Sequence, residues 1–165
     1  MQRSVIAIAA LATLAACASK PAPAPTPEAT TTTTAPAPRG PVPGSIEDFR
    51  VSVGDRVYFG YDRYDLTPEA RAILDRQAAW LRQYPNVRVL IAGNCDERGT
   101  REYNLALGAR RAAAARDYLA SLGISGDRMA TVSYGKERPV DPRSNEQAWS
   151  VNRNANTQIV SGAVS

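Results

Sequence analysis

The residue types best placed to do chemistry lie between Gly93 and Ala112, in the stretch GNCDERGTREYNLALGARRA. Asp96 stands at the end of a β-branched run. Arg111 follows fifteen residues later, inside a helical segment. A carboxylate takes an ammonium, and a guanidinium grips a carboxylate through two parallel N–H···O bonds. If both face one pocket, they complement a molecule that carries both charges. Spacing alone leaves a second use open, in which Asp96 caps its own loop and pairs internally with Arg111.

Other chemistries are excluded by residue type. The chain has no histidine and only two cysteines, Cys17 and Cys95. Neither Ser-His-Asp nor Cys-His catalysis is available, and neither a His-ligated nor a Cys-rich metal site can be built. No metal and no cofactor is expected. Glycoside hydrolysis needs two carboxylates across a cleft. Asp96 and Glu97 are adjacent and point apart on an extended segment, and Asp62 and Asp65 share one turn, so no enzyme is expected. The formal charge is +4 and the pI near 9.3. Yet the basic residues alternate with acids, as in Asp96-Glu97-Arg98 and Lys136-Glu137-Arg138. That is a mixed-charge solvated surface, not a nucleic-acid footprint.

The elements that would position this pair read as follows. Val57-Tyr58-Phe59 is a short strand. Thr67-Pro68 opens a helix, with Thr as N-cap and Pro at the first helical position, and Pro85 marks its stop. Residues 87–93 form the best strand, a polar loop spans 94–100, and a second helix covers about 101–122 before Gly123. Its expected core positions are Leu105, Gly108, Ala112, Ala115, Leu119 and Leu122. At about 100° per residue, Arg110 falls opposite that stripe and Arg111 about 70° from its centre. Arg110 should be solvated and Arg111 half-buried, needing a carboxylate, carbonyls or a ligand as acceptor. Met129–Tyr134 is a third strand. Ser144-Asn145-Glu146-Gln147 matches a capping box that opens a third helix. Thr157–Val160 is a short last strand. The alternation predicts an α+β two-layer sandwich, with helices on one face of a mixed sheet.

The first forty-five residues read differently. Arg3 precedes a run of 12 residues, Val5–Ala16, apolar but for Thr13. A membrane span needs about 20, so residues 1–16 are expected to be a signal peptide. Leu14-Ala15-Ala16-Cys17 resembles a bacterial lipobox, in which the cysteine is acylated. Three acyl chains would anchor durably, where one holds only marginally. Ala18 rather than Asp after the cysteine favours the outer membrane, by resemblance to enteric sorting rules. Residues 18–45 hold eight of the chain's twelve prolines. Such a segment cannot bury enough surface to fold, and reads as a tether spanning on the order of 80 Å when fully extended. The folded domain is expected over 46–165, exported and held at the periplasmic face.

Across that domain the sequence resembles the OmpA-like C-terminal domain family, and within it the peptidoglycan-associated lipoproteins (Pal). The resemblance rests on Val57–Leu66, Asp96–Thr100, Glu102–Leu105, Arg110–Ala112, Val132–Glu137 and Asn152-Arg153, in order and behind a lipobox and tether. It implies non-covalent binding of the peptidoglycan stem peptide through meso-diaminopimelate. The family's Asp and Arg map to Asp96 and Arg111, with Asn104, Arg153 and Tyr64 as supporting positions. It also implies a TolB-like β-propeller partner and a place in the Tol–Pal system at division. The other reading is a lipoprotein that acts only as a protein-binding module and leaves Asp96 and Arg111 unused. The pattern is broken at Asn94, often His in the family, and at Asn154, often Arg. The last segment, TQIVSGAVS, is less apolar than usual, so a frayed strand is expected. Cys95 is expected to be a small strand-end residue, not a nucleophile. Asp96→Ala and Arg111→Ala are expected to abolish binding with little loss of fold, and Arg110→Ala to do little.

Overall fold

Local signals in the sequence start the elements. The computed structural model describes residues 40–164. The expected signal peptide, the lipidation of Cys17 and most of the tether lie outside the described residues. A one-turn helix α1 (Ile46–Asp48) runs into a π-helical turn over Phe49–Val53. Strand β1 (Arg56–Tyr58) follows, then α2 (Pro68–Gln83), capped by the Thr67 hydroxyl, which accepts from Ala70 N at 3.2 Å. After β2 (Arg88–Asn94) comes α3 (Arg101–Ser121), capped by Thr100 and closed before Gly123, whose φ of 90° only glycine adopts freely. Strand β3 (Met129–Gly135), helix α4 (Glu146–Asn152) and β4 (Asn154–Ser161) complete the order.

The sheet runs β1-β4-β2-β3. β2 and β3 are parallel, and β4 is antiparallel to both β1 and β2. This is the α+β mixed sheet expected from the alternation of elements. Val87 just before β2, with Val89 and Ile91 on it, joins a core with Ala70, Leu74, Ala78 and Leu81 of α2 and Ala112, Ala115 and Leu119 of α3. Arg88 between them is exposed, as strand alternation requires. Each fully buried Leu or Ile contributes about 1.5–3 kcal/mol.

Three expectations are corrected. Leu105 is 37% exposed, whereas Asn104, Leu107 and Arg111 are buried. The buried stripe of α3 is therefore turned by roughly 30° toward Arg111, because a polar residue and an arginine belong to it. The N-cap of α4 is Asn145, whose Oδ1 accepts from Ala148 N at 2.9 Å, one residue beyond the Ser144 of the expected box. β4 is longer than the Thr157–Val160 strand expected. It begins at Asn154 and lies between β1 and β2. Its polar first half is tolerated because each of its buried polar side chains is bonded: the Asn154 amide to Val151 O, the Asn156 amide to Asp55, and the Thr157 hydroxyl to Gln77 Oε1. The fold also gathers in residues just before 46: Val164 N donates to Gly44 O at 3.0 Å, and Ser45 bridges Val164.

One contact aims the site. A Cβ on Gly93 would lie 1.8 Å from Gly108 O, and one on Gly108 would lie 2.4 Å from Ser133 Oγ and 2.9 Å from Gly93 O. Strand and helix backbones thus touch directly, and this crossing sets the height of Asn104 and Arg111 above the end of β2. Gly93→Ala must push two backbones apart. It should destabilise by about 3 kcal/mol or more, against a smaller loss for Gly108→Ala, whose nearest neighbour is a side-chain hydroxyl. Urea denaturation of the two variants measures this.

Candidate functional site

The end of β2, the loop 95–100 and the start of α3 enclose a cavity of about 180 Å³. Its lining includes Asp96, Arg98, Asn104 and Arg111, with Tyr61, Asp62 and Tyr103 at the outer side. The register slips between Gly93 and Asn94, so that Ser133 opposes Gly93 and Gly135 opposes Asn94. Bulges of this kind re-aim side chains. Cys95 N then donates to Gly135 O at 2.8 Å, which fixes where Asp96 leaves the sheet.

Arg111 is only 1% exposed, deeper than the half-burial expected. Its acceptors are three main-chain carbonyls: Nε to Arg63 O at 2.8 Å, Nη1 to Asn94 O at 2.8 Å and Nη2 to Gly60 O at 3.1 Å. A guanidinium has five N–H donors, so two remain beyond these bonds. Burial pushes the Arg111 pKa down, with Asp96 among the groups that oppose the shift. An arginine nevertheless stays protonated in proteins. Arg110 is exposed, as the helical phase requires.

Asp96 is 4% exposed and makes no ion pair with Arg111 among the described residues. Its Oδ1 accepts from Arg98 N at 3.1 Å, and its Oδ2 from Arg98 Nη2 at 2.6 Å and Arg153 Nη1 at 3.4 Å. Burial pushes the carboxyl pKa up, but the bonds from Arg98 and then Arg153 outweigh it, and the net shift is downward. Arg153 is itself held by Phe59 O at 3.1 Å and Glu146 Oε1 at 2.8 Å.

Of the positions expected from sequence, Asp96, Asn104 and Arg111 share the cavity wall, and Arg153 backs Asp96. Asn104 Nδ2 donates to Arg98 O at 2.8 Å, and so fixes the loop. Tyr64 is elsewhere: its exposed ring lies 5.7 Å from the Arg110 guanidinium, outside the cavity lining. Sequence reasoning missed Tyr61, Asp62, Arg98 and Tyr103 as lining residues. Tyr103 OH donates to Asp62, whose φ of 55° turns it over the mouth. Only Arg98, two residues from Asp96, carried a signal, since a cation so close can bond the carboxylate from its own loop. Cys95 is buried, its thiol pKa pushed up chiefly by burial, and its Sγ meets Asn104 O at 3.4 Å, in keeping with an inert strand-end residue. Among the described residues no cluster of three or more acidic, Cys or His side chains could hold a metal.

The family model described as the OmpA family matches residues 58–153, more than half of the chain. The chain belongs to the OmpA family. Within this family it is 58% identical over 121 residues to a protein of Rhizobium meliloti (strain 1021) named peptidoglycan-associated lipoprotein, covering 73% of this chain and 68% of the relative. A protein of the same name from Mesorhizobium japonicum is 47% identical, over 96% of this chain and 92% of its own length. Among solved structures, the peptidoglycan-associated lipoprotein from Burkholderia pseudomallei matches with a TM-score of 0.62 and 44% identity, covering 64% of this chain and 89% of that one. The C-terminal domain of Helicobacter pylori MotB gives a TM-score of 0.61 at 18% identity, over 65% of this chain and 84% of that chain, and shares the fold alone.

Asp96 is acid-sensitive in a defined direction. Its folded pKa is depressed, so its contribution to stability is fully present above the unfolded-state value and is lost as pH falls through the lowered folded value. Asp96→Asn should therefore be less stable than wild type at pH 7 by about 1–3 kcal/mol, and the gap should close in acid. Urea melts across pH check this.

Proposed function

We propose that this protein is an outer-membrane lipoprotein that binds peptidoglycan non-covalently through the diaminopimelate of the stem peptide. The observation that carries the reading is that Asp96 and Arg111 line one cavity without pairing with each other. The free end of meso-diaminopimelate bears one ammonium and one carboxylate. Asp96 takes the ammonium. The two remaining N–H groups of Arg111 take the carboxylate. Asn104 and Arg153 hold the loop and the carboxylate in place, while Tyr64 contributes at most from outside. The names of the relatives, peptidoglycan-associated lipoprotein, support association with peptidoglycan and the lipoprotein class. Acyl chains on Cys17 anchor the chain, and the segment up to about 45 lets the domain reach the cell wall from the membrane. Among the described residues no helix is long and apolar enough to cross a membrane. A TolB-like periplasmic protein is the expected partner, in the Tol–Pal system of envelope integrity and division. The binding role does not call for catalysis. Asp96 is held below the usual carboxylate range and is a poor proton donor.

Burial changes which variants test this. Arg111 is among the largest fully buried side chains and satisfies three carbonyls, so Arg111→Ala would cost far more fold than the sequence reading allows. Asp96→Ala would likewise strip Arg98 of its carboxylate and leave Arg153 one acceptor short. Asp96→Asn and Arg111→Lys keep most of the volume and part of the hydrogen bonding, and so disturb the fold less than alanine. In co-sedimentation with purified sacculi, each should lose about tenfold or more in affinity, while exposed Arg110→Ala binds as wild type. Wild-type affinity in Asp96→Asn would sink the reading, as would release of soluble wall fragments.

The anchor is tested separately. Cys17→Ser should leave the chain without acyl label and in the soluble envelope fraction, with sacculus binding by the domain unchanged. A labelled, membrane-bound Cys17→Ser chain would refute the assignment.

A further inference from the structure

The seat in front of Asp96 is already occupied. The Arg98 guanidinium lies 4.2 Å from the ring centroid of Tyr61 and 4.2 Å from that of Trp149. It reaches Asp96 Oδ2 at 2.6 Å from between these two rings. Trp149 is itself fixed, its indole Nε1 donating to Glu97 Oε1 at 3.0 Å. Two aromatic faces and a carboxylate form a cage for a cation. The fit of the arginine is imperfect: Arg98 Nε is buried with no hydrogen-bond partner. The loop beneath it is rigid. Lys136 Nζ donates to Glu97 O and Gly99 O at 3.1 and 2.7 Å, and Asn104 Nδ2 to Arg98 O. The side chain of Arg98 is therefore able to leave while its backbone stays.

We infer that Arg98 is an internal surrogate for the ligand's ammonium, which must displace it from Asp96, and that the cost of this exchange offsets part of the ammonium's gain and so moderates the site's preference for ligands bearing a free amine. The inference rests on the reading of Asp96 and Arg111 given above. Its physical basis is the cover over Asp96. With 4% of the residue exposed and Oδ2 held by two arginines, an incoming ammonium gains the carboxylate by trading places with the one cation that sits on the cavity side. Arg153 lies behind and is tied to Phe59 and Glu146. A ligand with a carboxylate but no amine has nothing to trade. It meets a site whose acid is already neutralised, and binds through Arg111 only. Removing the Arg98 cation unmasks Asp96. The bare carboxylate then attracts an ammonium and repels an acid that lacks one.

The test compares two probes on the folded full-length protein by calorimetry. One is a stem tetrapeptide containing meso-diaminopimelate with its side-chain amine free, and the other is the same peptide with that amine acetylated. Arg98→Ala should raise the affinity ratio of free to acetylated peptide by about tenfold, the scale of one charge-assisted hydrogen bond. Arg98→Gln, which keeps a stem between the rings, should act in the same direction and serves if the alanine variant does not fold. In wild type, the Trp149 indole N–H resonance should shift on adding the free-amine peptide and not the acetylated one. A ratio that falls or stays level in the folded variants overturns the inference, since Arg98 would then hold the ligand or merely brace the loop. So does a Trp149 resonance that ignores a bound free-amine peptide. Failure of the underlying site assignment looks different: wild type binds neither peptide.

Discussion

A buried guanidinium with no carboxylate of its own organises this end of the molecule. Arg111 collects carbonyls from Gly60, Arg63 and Asn94, that is, from both sides of the turn after β1 and from the end of β2. Those segments are distant in sequence and have no mutual ladder at that point. Without the arginine each carbonyl would lose a donor, although Gly60 O would keep Arg63 N, and the arginine would be an uncompensated buried charge without them. The helix that carries it is brought close by the contact of Gly93 with Gly108, which no larger residue permits. Strand end, turn and helix are thereby fixed relative to one another before any ligand arrives. The result is a positive site with donors to spare, in a wall that has little freedom to relax.

The carboxylate opposite has the reverse condition. Asp96 is served by the side chain and main chain of Arg98 and by Arg153, and has more cationic neighbours than it needs. The two halves of the cavity are therefore unequal: Arg111 is short of anionic partners, while Asp96 has a surplus of cationic ones. Had they been close enough to pair, the two deficits would cancel and the notch would be closed. Their separate solutions, carbonyls for one and neighbouring arginines for the other, keep the notch open, with Arg111 free of any anion and Asp96 covered by the arginine of its own loop. Desolvation makes each interaction stronger than it would be on an open surface.

Much of this could be read from the chain. The helix start at Thr67-Pro68, the strand within 87–93 and the stop at Gly123 follow from capping and turn chemistry that acts over three or four residues. Asp96 and Arg111 were legible because their types are rare beside apolar neighbours and because a family pattern contains them. The phase of α3 was harder. Apolar counting favoured Leu105, but the structure buries Asn104 and Arg111 in its stead, since tertiary hydrogen bonds offset their polarity. Likewise the Asn-rich start of β4 contradicts strand propensity, and only partners distant in sequence, Asp55 and Gln77, explain it. The cage around Arg98 joins residues 61, 98 and 149, which no periodicity connects. What sequence hides here is polar structure satisfied at long range.

The two departures from the family pattern illustrate the point, because their side chains meet. Asn94 stands where the family often has His, and Asn154 where it often has Arg. In space their side chains meet, Asn94 Nδ2 donating to Asn154 Oδ1 at 3.0 Å. Asn154 in turn donates to Val151 O and Asn152 O, which anchors the chain where α4 passes into β4. A neutral amide pair therefore fills the space behind the end of β2. The Asn94 side chain is held away from its own carbonyl, and that carbonyl is left to Arg111. With an amide rather than a guanidinium at 154, the positive side of the cavity at the strand end rests on Arg111.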